Sequence, residues 1–433
     1  MTENLKILIV THYFPPLNKM GSLRTYSWAK YWSRMGHEVC VLTTKKEVFD
    51  GISNLDIDDL ESVNIEEVPY WYFSVPKTSR NTQMKDSRNR ELSDINKLKS
   101  SIRRLRSFTG SIPDIHDLWI IPGVINALRI YGKWRFNIVV SSYSPPASHI
   151  IAGILKRRLG IFWVADYRDL WYGNHVQSSR WPFSILEKNI EDFWVKKADL
   201  ITVVSEPLAK KLKNRFGENK VIVVENGFDL EDLGKIEKEN IFSEDGKIRI
   251  VYTGTIYPNK RDPSPIFEAV NILRNVGFDI EKKLEIIFYG SDLGNLRQLI
   301  DKYQVANIIK TPGLVDRKTS INAQRSADVL LFLEWEDPSV DGILTGKLFE
   351  YMFSGKPILG IGITSKSLAG KIIEESGTGM ALGKDVGKIA EVLTKLINGE
   401  VLNYKPNIDL IMKYTRKDLA EKMLEEILQR MVK

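Results

Sequence analysis

The chain of 433 residues is 43% hydrophobic and 27% charged, which suits two globular domains and excludes a disordered tail, a collagen-like chain or a small disulfide scaffold. Cys40 is the only cysteine, so neither an intramolecular disulfide nor a cysteine-rich metal site can form, and a reducing, cytoplasmic setting is the default expectation. Lys and Arg total 62 against 55 Asp and Glu, a formal charge of +7 that points to an anionic partner: nucleic acid, a phosphorylated substrate or a membrane surface.

In chain order, Leu5–Val10 reads as a buried strand, Leu23–Met35 as a helix ended by Gly36, and Val39–Thr43 as the next strand. From Lys77 to Arg106 ten basic residues meet three acids, so this segment carries the whole net charge. Its second half has Leu92, Ile95, Leu98, Ile102, Leu105 and Phe108 at helical spacing. It reads either as a surface helix with a solvated basic face or as an interfacial helix on anionic lipid. Strands Ile138–Ser142, Phe162–Asp166, Leu200–Val204 and Val221–Val224 follow, separated by the helices Ser148–Leu159, Phe183–Lys197 and Glu206–Phe216. After a turn at Asn226–Asp229 and a polar linker to Gly246, the alternation restarts. Strands Ile248–Tyr252, Leu284–Gly290, Asp328–Leu333 and Pro357–Gly362 accompany the helices Pro265–Val276, Leu348–Phe353 and Lys388–Asn398. Arg416–Met431 closes the chain as an amphipathic helix. Such alternation predicts an α/β protein with two doubly wound parallel sheets, each binding ligands outside the carboxyl ends of its strands. No run is long and apolar enough to span a membrane, and Lys6–Val10 followed by Pro15-Pro16 is not a signal-peptide layout.

Three loops after strands carry chemistry. In the first, Gly21 allows close backbone approach, Ser22 is placed to cap the helix, and Arg24 adds a fixed charge. In the second, Gly254 and Thr255 open a turn that ends in Lys260 and Arg261, a pair suited to a diphosphate; the alternative is a solvated basic loop. In the third, Asp341, Gly342, Thr345, Gly346 and Lys347 precede a short helix, with Glu350 one turn in and able to accept from sugar hydroxyls. There is no dinucleotide-binding glycine fingerprint and no P-loop.

These residues resemble a known family. The segments ILIVTHYFPP, MGHEVCVLT, SSYSPPASH, WVADYRDLW, VYTGTIYPNKR and LTGKLFEYMFSGKPIL are similar to those of retaining glycosyltransferases of the GT-B fold, the family-4 (group 1) type found among bacterial cell-surface polysaccharide enzymes. The resemblance implies two Rossmann-like domains facing a central cleft: residues 1–228 for the acceptor, with the C-terminal helix of 408–433 crossing back, and 246–407 for the nucleotide-sugar. It implies an enzyme of the hexosyltransferase type, with no metal and no cofactor beyond the nucleotide-sugar substrate. Glu350 matches the glutamate on the ribose, while the position of the first motif glutamate holds Gly342, beside Asp341. Lys260 matches the diphosphate lysine; the companion arginine position holds Thr255, and Arg261 is the replacement. Gly21, Ser22 and Arg24 match the glycine loop. Gly254, Thr345, Gly346 and Lys347 join the donor side.

His149 matches the histidine near the transferred sugar, with a capping or core role as the alternative. Asp166, Arg168 and Asp169 match the acceptor side, their alternative being a buried ion-pair network. The implied partners are a nucleotide-sugar, a glycan or lipid-linked acceptor, and an anionic membrane surface at 77–106, on the inner face of the plasma membrane. Nucleic acid has no supporting motif. A nucleotide-sugar epimerase and a non-catalytic GT-B-like partner subunit are the rival readings.

Overall fold

The computed structural model describes every residue except 1–3, 48–49, 56–58, 71–99, 103, 176–177, 258–259, 291–292, 335–341, 343, 403 and 432–433. The chain divides into two compact units, Met1–Val224 with Ala420–Lys433, and Glu225–Leu419.

The first unit holds a seven-stranded sheet: β1 (Lys6–Val10), β2 (Glu38–Thr44), β3 (Asn64–Val68), β4 (Ile138–Tyr143), β5 (Phe162–Tyr167), β6 (Leu200–Val203) and β7 (Val221–Val223). Its order is β3-β2-β1-β4-β5-β6-β7, with every pair parallel. The second holds β8 (Ile248–Thr253), β9 (Leu284–Tyr289), β10 (Ile309–Gly313), β11 (Val329–Leu333), β12 (Ile358–Ile361) and β13 (Gly379–Gly383), in the order β10-β9-β8-β11-β12-β13, again all parallel. Both sheets therefore reverse direction once, between β1 and β4 and between β8 and β11. At such a reversal the crossovers leave to opposite sides, and the strand ends open a crevice for ligand. The fold class read from the sequence is the one observed.

The inner strands are continuous apolar runs because helices cover both faces. Ile7–Val10, Val139–Val140, Trp163–Ala165, Ile250–Val251 and Leu330–Leu331 are all fully enclosed. Three strands escaped the sequence reading: β3, β10 and β13, with sequences NIEEV, IKTPG and GMALG. All three are edge strands, covered on fewer sides, so charge, proline and glycine replace the apolar run that marks a central strand.

The last helix, Arg416–Met431, starts in the second unit and belongs to the first from Ala420 onward. There Trp32 Nε1 donates to Ala420 O at 2.8 Å, and Met423 and Ile427 are fully buried.

Candidate functional site

In the second unit the reversal point is built from the ends of β8, β9 and β11 and the start of helix Gly346–Phe353. Gly254 leaves β8 with φ +128° and donates its amide to Tyr289 O at 2.7 Å. A Cβ on Gly254 would lie 2.7 Å from Lys347 Nζ, and one on Gly290 would lie 2.2 Å from Gly254 O. Both glycines are thus required by close approach, and alanine at either would displace its neighbour. The helix is keyed to β8 by Tyr351, whose hydroxyl accepts from Thr253 N at 2.8 Å. Thr345 sits at the helix start and makes no side-chain cap, so the first-turn amides are not closed off by it.

Two cations meet here. The Lys347 ammonium is enclosed, has no hydrogen-bond partner among the described residues, and lies 3.9 Å from the Tyr252 ring centroid. Burial and the neighbouring Arg261 push its pKa well down, against the pull of Glu334 and Glu350. Arg261 is drawn inward as well. It donates to Thr255 O at 3.0 Å, stands 3.8 Å from Glu334, packs over Tyr257, and leaves Nε buried without a partner. Lys260 stays half-exposed in the turn. Glu350 is buried and ion-paired to Arg317 at 2.9 Å. Gly342, with φ +100°, and Gly346 are buried. Asp341 lies outside the described residues.

The first unit treats its strand-end charges differently. Arg24 Nη2 donates to Asp166 Oδ1 at 2.8 Å and to Val224 O at 2.8 Å, and its Nε to Asp166 Oδ2 at 3.2 Å. Asp166, fully enclosed, also accepts from Ser142 Oγ at 2.9 Å and Thr202 Oγ1 at 2.7 Å. For Asp166 this is the buried ion-pair network that stood as its alternative, and it takes up the Arg24 charge within the protein. The pair is a buried knot joining the first helix to β4, β5 and β6, and it takes its charges out of contact with solvent. The cap role expected of Ser22 is corrected: helix Met20–Arg34 begins before it, with Lys19 at the cap position, so Ser22 lies inside the first turn and its Oγ is buried without a partner.

Arg168 is half-buried, donates to Tyr143 O at 2.9 Å and covers the Tyr13 ring at 4.7 Å. A Cβ on Gly21 would lie 1.8 Å from its Nη1, so Gly21 makes room for that guanidinium. Asp169 follows, half-exposed. His149 has no exposure and sits among Tyr143, Trp163, Tyr167 and Trp171. Its Nδ1 is 2.8 Å from Ser141 Oγ, which accepts from Trp163 Nε1 at 2.8 Å, and its Nε2 has no partner. Burial holds its pKa down at about 3, so the ring is neutral. These surroundings favour the core alternative for His149 over contact with a sugar.

Among the described residues one histidine-carboxylate group has metal-ligand spacing, His12 with Asp50 and His116. The basic segment 77–106 lies mostly outside the described residues; residues 100–102 and 104–109 are helical. A cavity of about 1180 Å³ opens in the first unit at the starts of β5 and β7. Its Lys156 is paired to Asp199, its Lys213 to Glu206, and Lys220 donates to two carbonyls, while Lys196 and Lys197 stand exposed on its wall.

Glu334, Arg317, Tyr252, Tyr351 and Gly290 were not read from the sequence. Glu334 and Gly290 directly follow strand ends, a signal that could have found them; Arg317 and the two tyrosines are defined only by what they touch.

Residues 82–232 match the family model for Glycosyltransferase Family 4. No curated protein matches the chain. Among solved structures, a sucrose-phosphate synthase from Thermosynechococcus elongatus is similar at TM-score 0.61 and 12% identity, covering 98% of this chain and 99% of that one. A glycosyltransferase from Rickettsia africae gives TM-score 0.61 and 15% identity, covering 99% of both chains. A UDP-N-acetylglucosamine 2-epimerase gives TM-score 0.51 and 14% identity, covering 99% of this chain and 96% of that one. The fold is GT-B.

Proposed function

We propose that this protein is a retaining glycosyltransferase that moves a sugar, of the hexosyl type, from a nucleoside-diphosphate sugar to an acceptor hydroxyl. The carrying observation is the enclosed Lys347 ammonium, without a hydrogen-bond partner among the described residues, beside Arg261 at the reversal point of the second sheet. An ammonium out of water costs folding free energy unless an anion completes it. A diphosphate would accept from Lys347, from Arg261 Nε and from the amides that open helix Gly346–Phe353. Glu350, held by Arg317, is a carboxylate suited to the ribose hydroxyls, and Gly254 lets backbone approach the ligand.

As the sugar-phosphate bond breaks, negative charge grows on the departing diphosphate. Lys347 and Arg261 stabilise that charge more than they stabilise the bound donor, which lowers the barrier. The acceptor oxygen attacks from the face the diphosphate leaves, and a phosphate oxygen takes its proton. The match of residues 82–232 and the shared fold support the reading. Lys260 and Asp341 stay on the donor side of the proposal, and Arg168 with Asp169 on the acceptor side.

A lipid-linked or cell-surface glycan is the proposed acceptor. The support is apolar exposure in the first unit: Leu105, Phe108, Leu118, Ile121, Ile125, Trp181, Phe183, Ile185, Leu186 and Phe193 all face outward, Trp181 at 80% and Ile121 at 72%. Glu187 staples two of these stretches, accepting from Ser111 N at 2.7 Å and from Ser179 Oγ at 2.5 Å, and Arg180 packs over Phe108. The Phe108 and Trp181–Leu186 stretches, joined in this way beside Arg180, suit the surface of an anionic bilayer. No helix among the described residues is long and apolar enough to cross a membrane.

The test is a thermal-shift and transfer screen of UDP-, GDP- and TDP-sugars with a lipid-linked acceptor. One nucleotide should raise the melting temperature and its sugar should be transferred with retained configuration. If no nucleotide stabilises the protein, the reading falls. Conversion of a UDP-sugar to its 2-epimer without acceptor would favour the epimerase whose fold it shares. For the membrane face, Trp181→Asp and Ile121→Asp together should abolish sedimentation with anionic vesicles while sparing nucleotide binding; unchanged sedimentation removes that part.

A further inference from the structure

The first unit carries a second polar cluster that the transferase reading does not use. We propose that His12, Asp50 and His116 bind a divalent transition metal of the zinc class through three protein ligands. One ligand-type atom from each residue lies within 4.8 Å of the other two. They come from separate segments at the carboxyl end of the first sheet: His12 just after β1, Asp50 after β2, and His116 in the short helix Ile115–Trp119. The two imidazoles are 4.0 Å apart between centroids, and His116 Nε2 stands 3.5 Å from Asp50 Oδ1. Ligand atoms about 2.0–2.1 Å from a tetrahedral zinc lie roughly 3.3 Å from one another, so that pair is already close to the spacing a zinc ion needs.

The outer contacts follow the pattern of a built metal site. His12 Nδ1 pairs with Thr44 Oγ1 at 2.7 Å, and His116 Nδ1 pairs with Asp114 Oδ1. Metal binding requires each Nδ1 to donate to its oxygen, which leaves the Nε2 lone pairs for the ion in place of the present His116–Asp50 contact. Asp50 is oriented by Tyr70, which donates to Oδ1 at 2.7 Å, and by Glu47 N, which donates to Oδ2 at 2.8 Å. Asp114 is fixed in turn by the His116 amide at 2.9 Å and by an ion pair with Arg106. Metal-bound histidines are ordinarily held through their second nitrogen in this way. Carboxylates also outnumber cations here: Asp50, Asp114 and Asp117 face Lys46 and Arg106, and Lys46 spends its donors on His12 O, Thr43 Oγ1 and Thr44 O. Two imidazoles and one carboxylate select zinc, cobalt or iron(II) over the all-oxygen preference of calcium and magnesium. The fourth position is left to an oxygen of water or ligand.

The test uses the full chain stripped with chelator and titrated with Co2+, then Zn2+. One equivalent of Co2+ should bind with visible d–d absorption of four-coordinate type, Zn2+ should displace it, and the melting temperature should rise. Asp50→Asn and His116→Gln should each abolish the absorption, and Asp114→Asn should weaken binding about 10–100-fold. Circular dichroism decides which variants are folded; if His116→Gln is not, the near-isosteric Asp50→Asn is read alone. Absence of stoichiometric binding, or folded variants that bind like the parent chain, overturns the proposal and leaves the cluster a hydrogen-bonded brace.

Discussion

The two units place charged residues at the same point of the same topology, and they finish them in opposite ways. At the reversal of the first sheet, Arg24 and Asp166 complete each other, and Ser142, Thr202 and Val224 O take up what remains. At the reversal of the second, Lys347 has Tyr252 beneath it and no acceptor among the described residues. A cation that the protein has satisfied holds the fold together. One enclosed with no acceptor among the described residues is, in the proposed function, completed by the ligand. Residue type and strand-end position are alike in the two places, so only the partners separate them.

The comparison breaks most visibly at Arg24. Arg24→Met should cost about 3–5 kcal/mol of stability, because it strands a buried carboxylate; urea melts would measure it, and a loss below about 1 kcal/mol would mean the knot is not structural. Lys347→Met should do the reverse. Removing an enclosed ammonium should leave the melting temperature unchanged or higher, while turnover falls about 100–1000-fold, the range for losing one group that stabilises transition-state charge. A Lys347→Met protein that melts lower and still turns over would erase the contrast.

A third effect is smaller and sharpens the first unit alone. His149 is held neutral with its pKa at about 3, against 6.5 in an unfolded chain. A folded-state pKa below the unfolded one means the unfolded state binds more protons as pH falls, so stability is full above 6.5 and is lost below it. Between pH 7 and pH 5 this costs about 2 kcal/mol at 1.36 kcal/mol per unit. His149→Phe should flatten the pH dependence of the urea midpoint over that interval; an unchanged slope would place the titrating group elsewhere. The smallest effect is expected at Glu350. Glu350→Gln should raise the donor KM about tenfold, the worth of a charged hydrogen bond, with kcat nearly unchanged.

Much of this molecule is legible in its sequence because burial on two faces imposes an apolar run. β1, β2, β4, β5, β8, β9 and β11 announce themselves that way, and with the intervening helices they fix a doubly wound α/β fold. Glycines at strand ends and the cations after them marked the loops of the proposed donor site for the same reason: chain reversal and close approach restrict residue choice. The edge strands β3, β10 and β13 were illegible because solvent relaxes that demand.

Tertiary structure alone decided which charges are spent. Nothing in Arg24, Asp166 or Lys347 as letters says that the first two meet across 142 positions while the third meets no acceptor among the described residues. The same holds for His12, Asp50 and His116, which the parallel crossovers bring to one sheet end and no local spacing could have joined. Local pattern records how much water each segment sees; the pairing of distant polar atoms is settled only when the sheet order brings their strand ends together.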